Sequence, residues 1–217
     1  MPTYQTLLFD LDGTLTDPKP GITRSVQYAL EHMGIDEPDL ERLIPFIGPP
    51  LTESFEHYYG FGSSKARKAI HFYREYFAST GLYENAVYPG IPELLAGLQQ
   101  QGLLLIIATS KPTTFAQQIL EYFQLEHYFT LIVGSNLDNT RTSKTEIIAH
   151  ILNEYPHRSK QTTVMVGDRK HDIIGAQNNQ IDSIAVCYGY GSQAELERAN
   201  ATHFVQTVND LSQLLQG

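Results

Sequence analysis

Cysteine is nearly absent from this 217-residue chain. Cys187 is the only one, so no internal disulfide can form, and a reducing compartment fits. Long apolar runs are also missing: the longest strongly apolar stretch, residues 103–108, is far below the ~20 residues a membrane helix needs, so no membrane partner is expected. Basic residues are in deficit, 15 Lys and Arg against 24 Asp and Glu. The formal charge of -9 argues against a nucleic acid polymer held by phosphate neutralisation, although a small anion remains compatible with a local site of opposite character. The histidines show no metal-ligand spacing. Residues 1–5 carry neither the basic nor the apolar segment of a signal peptide, so the expected location is cytoplasmic. What remains is ordinary for a folded chain, with 41% hydrophobic and 18% charged residues. The length suits one sizeable domain, or a core with a smaller insert.

Residues 4–9 form a short run of β-formers closed by Asp10-Leu11-Asp12-Gly13-Thr14-Leu15, which reads as a buried strand ending in a turn. Residues 18–85 then change character. Ile22, Val26, Ala29, Leu30 and Met33 recur at helical spacing up to Gly34. Leu51, Phe55 and Tyr58 do so before Gly60 and Gly62, and Ala66, Ala69, Ile70, Tyr73 and Phe77 before Gly81. From Tyr88 onward helix and strand patterns alternate, with strands at residues 103–108, 131–133, 162–166 and 184–187, and Phe204 and Val205 as a short edge strand. Such alternation implies a parallel sheet covered on both faces. The expected architecture is therefore α/β: a Rossmann-like three-layer parallel-sheet core from residues 1–16 and 86–217, with an all-α domain of residues 17–85 inserted after the first strand.

Polar residues gather at the strand ends: Asp10 and Asp12, then Thr109-Ser110-Lys111, then Thr142-Ser143-Lys144-Thr145 before a helix starting near Glu146, then Gly167-Asp168 with Asp172. Each alone has a plain reading, as an Asp-Gly turn, a helix cap or a solvated charge. Together they fall on one edge, because in a parallel sheet the strand ends share it, and that is the edge where ligands of open α/β sheets bind. Four carboxylates in one crevice repel by about 4 kcal/mol per pair at ~4 Å and an effective dielectric of about 20. One lysine cannot balance that, so either some acids are protonated or a cation resides there. Oxygen donors without a His or Cys cluster suit Mg²⁺ better than zinc or a calcium cage. The Thr109 hydroxyl, the amines and the helix-start N–H groups suit a phosphoryl group.

In this arrangement the chain resembles the haloacid dehalogenase superfamily along its whole length. Asp10-Leu11-Asp12-Gly13-Thr14-Leu15 is similar to its first motif, Thr109 with Ser110 to its second, Lys144 to its third, and Gly167-Asp168 with Asp172 to its fourth. The helical insert resembles the cap of phosphoglycolate-phosphatase-like and β-phosphoglucomutase-like members. The resemblance implies that Asp10 is a nucleophile forming an aspartyl-phosphate and that Asp12 is the proton donor and acceptor. It implies that Thr109, Ser110 and Lys144 hold the phosphoryl group. It also implies a Mg²⁺ bound by Asp10, the Asp12 carbonyl and Asp168, with Asp172 beside it. Dehalogenases lack the second acid, so Asp12 points to phosphate chemistry. One departure is that Lys144 is followed by Thr145 and Glu146, where many such members carry Lys-Pro.

The implied activity is Mg²⁺-dependent hydrolysis of a small phosphorylated metabolite, phosphoglycolate-like, sugar phosphate or nucleotide monophosphate, by a monomer or homodimer. A phosphosugar mutase and a non-enzymatic phospho-acceptor module stay open beside it. In the cap, Gly48-Pro49-Pro50-Leu51 resembles the segment facing the active site in phosphoglycolate-phosphatase-like proteins, or is a plain connector. Arg24 is either a substrate contact or a surface arginine, and the tyrosines, Tyr58, Tyr59, Tyr73, Tyr76, Tyr83 and Tyr88, are base-stacking groups or bundle core.

Overall fold

The computed structural model describes residues 4–138 and 140–216. The reading of residues 1–3 as free of a signal segment lies outside them. The chain opens with β1 (Thr6–Phe9) and β2 (Thr16–Asp17), passes through α1 (Lys19–His32), α2 (Leu51–Tyr59) and α3 (Ser63–Tyr76), and returns by β3 (Ala86–Val87). It then alternates through α4 (Ile91–Gln100), β4 (Leu104–Pro112), α5 (Thr113–Tyr122), β5 (Leu131–Ser135), α6 (Lys144–Glu154) and β6 (Thr163–Gly167). The last elements are α7 (Lys170–Asn179), β7 (Asp182–Val186), α8 (Gln193–Ala199), β8 (His203–Val205) and α9 (Val208–Gln216). Two compact units result, residues 1–17 with 87–217, and residues 18–86. Each bound lies one residue later than the sequence reading had it, directly after β2 and within β3.

The larger unit is built on a six-stranded sheet in the order β5-β4-β1-β6-β7-β8. Its neighbouring strands run parallel. β1 lies at the centre, with Leu8 between Ile106 and Met165. Leu7, Leu8 and Phe9 are fully buried, which at roughly 1.5–3 kcal/mol per large apolar side chain makes this strand the anchor of the sheet. Successive side chains of a strand face opposite sides. Leu8 therefore joins Ile106, Ala108 and Met165 against Ile147, Ile148 and Ile151 of α6 and Ala176 of α7. On the other face Phe9 meets Phe129 edge to face at 6.3 Å. Because every strand of the sheet runs the same way, the carboxyl ends of β1, β4 and β6 open onto one edge.

The smaller unit is helical. Ile22, Val26, Ala29 and Leu30 of α1 are buried, as are Ala66, Ala69, Ile70 and Tyr73 of α3, the spacing expected of amphipathic helices. Phe46, at the end of a 3₁₀ stretch (Leu40–Phe46), packs edge to face on Phe55 of α2 at 5.0 Å. Of the tyrosines left open between two roles, Tyr73 is core whereas Tyr58 and Tyr83 are about half exposed, at 47% and 50%. Among the described residues no helix is long and apolar enough to cross a membrane.

Candidate active site

Asp10 follows β1 directly, and its N–H still donates to the Val166 carbonyl of β6 at 2.9 Å. The sheet therefore fixes its backbone. Its Oδ1 accepts from the Leu11 N–H at 2.8 Å and from Lys144 Nζ at 2.8 Å. Gly13 then turns the chain with φ +81°, and an added Cβ there would lie 2.2 Å from Asp168 Oδ2. A glycine is required both for the left-handed backbone and for the approach of the β1 turn to the β6 end.

Lys144 begins α6 rather than preceding a helix that starts near Glu146. Ser143 caps that helix by accepting the Glu146 N–H, and the Glu146 carboxylate accepts the Ser143 N–H at 3.3 Å in return. Buried almost completely, Lys144 reaches back across the sheet to donate to the Ala108 carbonyl at 2.9 Å, to Asp10, and to Asp172 Oδ1. The residues after it have structural uses a proline would not serve. Thr145 Oγ1 accepts from Asn178 of α7 at 3.0 Å, and Glu146 completes the cap.

Asp168 and Asp172 close the far side. Asp172 is used twice by the protein, its Oδ1 by Lys144 and its Oδ2 by the Arg169 N–H at 3.1 Å. Asp168 Oδ2 accepts the Tyr190 N–H at 2.7 Å, while its Oδ1 is buried with no hydrogen-bond partner. The carboxylates of Asp10, Asp168 and Asp172 each offer an oxygen, and these atoms lie within 4.8 Å of one another. An all-oxygen set with an unsatisfied buried oxygen is what a hard divalent cation takes. The side chain of Asp12 stands outside this set. It is paired instead with Lys111, Nζ to Oδ2 at 2.9 Å, and its Oδ1 is buried without a partner.

Electrostatics follow the same division. Burial pushes the Asp168 carboxyl well above its ordinary range, and the nearby charges of Asp10 and Asp172 add to that. Burial also raises Asp172, to about 6, against the opposing pull of Lys144. Asp12 is raised by burial too, with Lys111 opposing. Burial alone would lower Lys144, but the carboxylates of Asp10 and Asp172 outweigh it and hold the ammonium above its usual value.

Of the residues expected at the site, Asp10, Asp12, Lys144, Asp168 and Asp172 are brought together. Thr109 is buried on β4, the neighbour of β1, with its hydroxyl accepting the Lys111 N–H at 3.3 Å, and Ser110 beside it is partly buried. These two do not follow the strand, as the apolar run suggested. β4 continues to Pro112 through an irregularity in its register after Ala108. Gly48 and Pro49 belong to the helical unit, ahead of α2, and Arg24 on α1 is ion-paired with Glu84 of the same unit. Sequence reasoning gave no role to two contributors. Lys111 gives the acids a second ammonium, correcting the count of one lysine; its signal was its place two residues past Thr109. Tyr190 acts through its backbone, and its only signal was the run Tyr188-Gly189-Tyr190-Gly191 after β7.

Residues 7–186 match the model of one protein family, described as haloacid dehalogenase-like hydrolase. The chain belongs to that family. A protein of Pseudomonas aeruginosa named 5'-nucleotidase is 50% identical over 98% of this chain and 96% of its own length. Tyrosine-protein kinase PtkA of Mycobacterium tuberculosis is 37% identical over 97% of this chain and 72% of its own. The crystal structure of a predicted phosphatase from Clostridium acetobutylicum superposes with a TM-score of 0.95 at 46% identity, covering 98% of both chains. This haloacid dehalogenase-like hydrolase is accordingly a phosphatase.

Proposed function

We propose that the enzyme is a Mg²⁺-dependent phosphomonoesterase acting on a small phosphorylated metabolite through an aspartyl-phosphate on Asp10. The observation that carries this reading is the separate housing of the two aspartates: Asp10 is held by Lys144, and Asp12 by Lys111. Two acids two residues apart are thereby given different tasks. Asp10 is oriented by its strand and by Lys144 to attack phosphorus, forming a P–O bond as the ester P–O bond breaks. Asp12, whose carboxyl burial keeps inclined to hold a proton, protonates the departing oxygen. It then takes a proton from the water that attacks phosphorus and releases Asp10. Lys144 and Thr109, with Ser110 alongside, hold the phosphoryl oxygens as charge develops.

Asp10, Asp168 and the Asp12 carbonyl would hold the Mg²⁺, with Asp172 orienting Lys144 beside it, and the ion would supply charge neutralisation on the phosphoryl oxygens. The unsatisfied Asp168 Oδ1 supports that assignment.

Nucleoside 5'-monophosphates are the substrate class this reading favours, supported by the 5'-nucleotidase name of the relative at 50% identity. Gly48 and Pro49 are the proposed substrate-facing pair of the helical unit. Arg24 would join them only by giving up Glu84. The experiment is phosphate release from a panel of nucleoside 5'-monophosphates, sugar phosphates and phosphoglycolate, with and without Mg²⁺. Asp10→Asn should abolish turnover of every substrate, and retained activity would remove Asp10 from the mechanism. Isomerised product instead of free phosphate, from a hexose phosphate supplied with its bisphosphate, would show a mutase.

A further inference from the structure

Lys111 has no part in the chemistry so far beyond its contact with Asp12, yet the protein goes to some length to place it. The residue is buried, at 9% exposure, and its ammonium makes the 2.9 Å contact with Asp12 Oδ2 between side chains exposed by only 5% and 10%. Its backbone is fixed on two sides. The Lys111 N–H donates to Thr109 Oγ1 at 3.3 Å, and a Cβ added to Gly134 of β5 would come within 2.1 Å of the Lys111 carbonyl oxygen. Only a glycine lets β5 run that close, so the register irregularity of β4 is held in place from its neighbour. The result is asymmetric use of one carboxylate: Oδ2 is engaged, and Oδ1 is buried with no partner.

We infer that Lys111 is a positioning residue for proton transfer: it pins one oxygen of Asp12 so that the other is the atom that exchanges a proton with the substrate's bridging oxygen and later with water. The inference rests on the phosphatase reading above. It separates the duties of the two lysines, Lys144 acting on the nucleophile and phosphoryl group, Lys111 on the proton carrier alone. In the first step the ester P–O bond breaks and the proton leaves Asp12 for the alkoxide. In the second the P–O bond to Asp10 breaks and a proton of the attacking water returns to Asp12. Misplacing Asp12 therefore harms both steps, but the first only where the leaving group needs a proton.

That condition gives the test. The Mg²⁺-loaded enzyme and its Lys111→Met variant are compared on an alkyl phosphate, a nucleoside 5'-monophosphate, and on p-nitrophenyl phosphate, whose phenolate leaves unprotonated. The value of kcat/KM reports events up to formation of the aspartyl-phosphate. It should fall about 100-fold for the alkyl ester and less than about 5-fold for the aryl ester. The slowed second step should show as a burst of nitrophenolate. Lys111→Arg, which keeps the charge, should bring the alkyl value back to within about 10-fold of the parent enzyme, a rescue that shape alone would not give. Equal losses on both esters, no loss on either, or a raised KM with kcat unchanged would each overturn the inference, the last by making Lys111 a grip on substrate. Should Lys111→Met not fold, Lys111→Arg decides by the same contrast, a greater alkyl than aryl loss supporting the inference and equal losses overturning it. Failure of the parent reading looks different: unsubstituted enzyme would release no phosphate, or Asp10→Asn would keep turnover.

Discussion

Replacing Lys144 by methionine removes the one cation that stands between Asp10 and Asp172. The side chain is 2% exposed and its ammonium contacts both carboxylates and the Ala108 carbonyl. Methionine matches the stem in volume, so little of the effect comes from a cavity. Removing one partner of a buried ion pair costs about 3–5 kcal/mol, because the charge left behind has neither water nor a counter-ion. Here two carboxylates are left, and they also repel each other. The measurement is urea unfolding of the metal-free protein and of Lys144→Met, with stability taken from the midpoint and slope.

Near pH 7.5 the difference should be about 3–5 kcal/mol. The sign of its pH dependence is fixed by Asp172. In the parent protein burial already places that carboxyl at about 6 despite Lys144, and losing the lysine raises it further. A carboxyl whose folded value exceeds its unfolded value favours the folded state at pH below the unfolded value, and that contribution is lost as pH rises through the folded value. Asp172 of the variant is therefore protonated in the folded protein at pH 5, and the penalty should shrink by roughly 1–2 kcal/mol between pH 7.5 and 5. A penalty below about 1 kcal/mol at pH 7.5, or one equal at both pH values, would refute the account of Lys144 as the central counter-ion.

The parent protein without metal should show the same sign more weakly. Asp172, moved from 3.8 to about 6, contributes about 3 kcal/mol of stability at pH below 3.8 that is gone above 6, and Asp168, raised well above the usual range, adds to it. The melting temperature in a chelator should therefore fall from pH 5 to pH 7.5, and a flat or rising profile would count against the burial argument. At pH 7.5 saturating Mg²⁺ should restore about 2.7 kcal/mol at 100 times its dissociation constant, and Asp168→Asn should remove that response without destabilising the metal-free protein. Gly13→Ala forces a side chain into a backbone with φ +81° and against Asp168 Oδ2 at 2.2 Å. It should cost about 1–3 kcal/mol by thermal unfolding and weaken the Mg²⁺-induced rise in melting temperature, and an alanine variant with an unchanged response would separate the turn from the metal site.

How much of this was legible in the sequence depended on whether a feature was periodic. The buried parallel strands show as apolar runs because both faces of the sheet are covered, and the acids show because they end those runs. β2 and β3, two residues each, carry no period, and α8 has seven residues with Leu196 as its buried anchor. Lys111 was visible at its strand end, but its pairing with Asp12 was not, because β4 outlasts its apolar run; Tyr190 was hidden because its contact with Asp168 is made by an N–H that every residue except proline possesses. These two change the charge argument itself. Read from the sequence, four acids face one lysine, and the excess falls either to protonated acids or to a cation. In the folded protein Lys144 answers Asp10 and part of Asp172, the Arg169 N–H takes the other oxygen of Asp172, and Lys111 answers Asp12. Arg169 itself is drawn to Glu195 at 2.9 Å. The unanswered charge narrows to Asp168, whose Oδ1 is buried and unpaired. The case for a metal thus rests on that oxygen within the cluster of Asp10, Asp168 and Asp172 rather than on a surplus of acids, which is why Asp168→Asn is the substitution that should silence the Mg²⁺ response while sparing the fold.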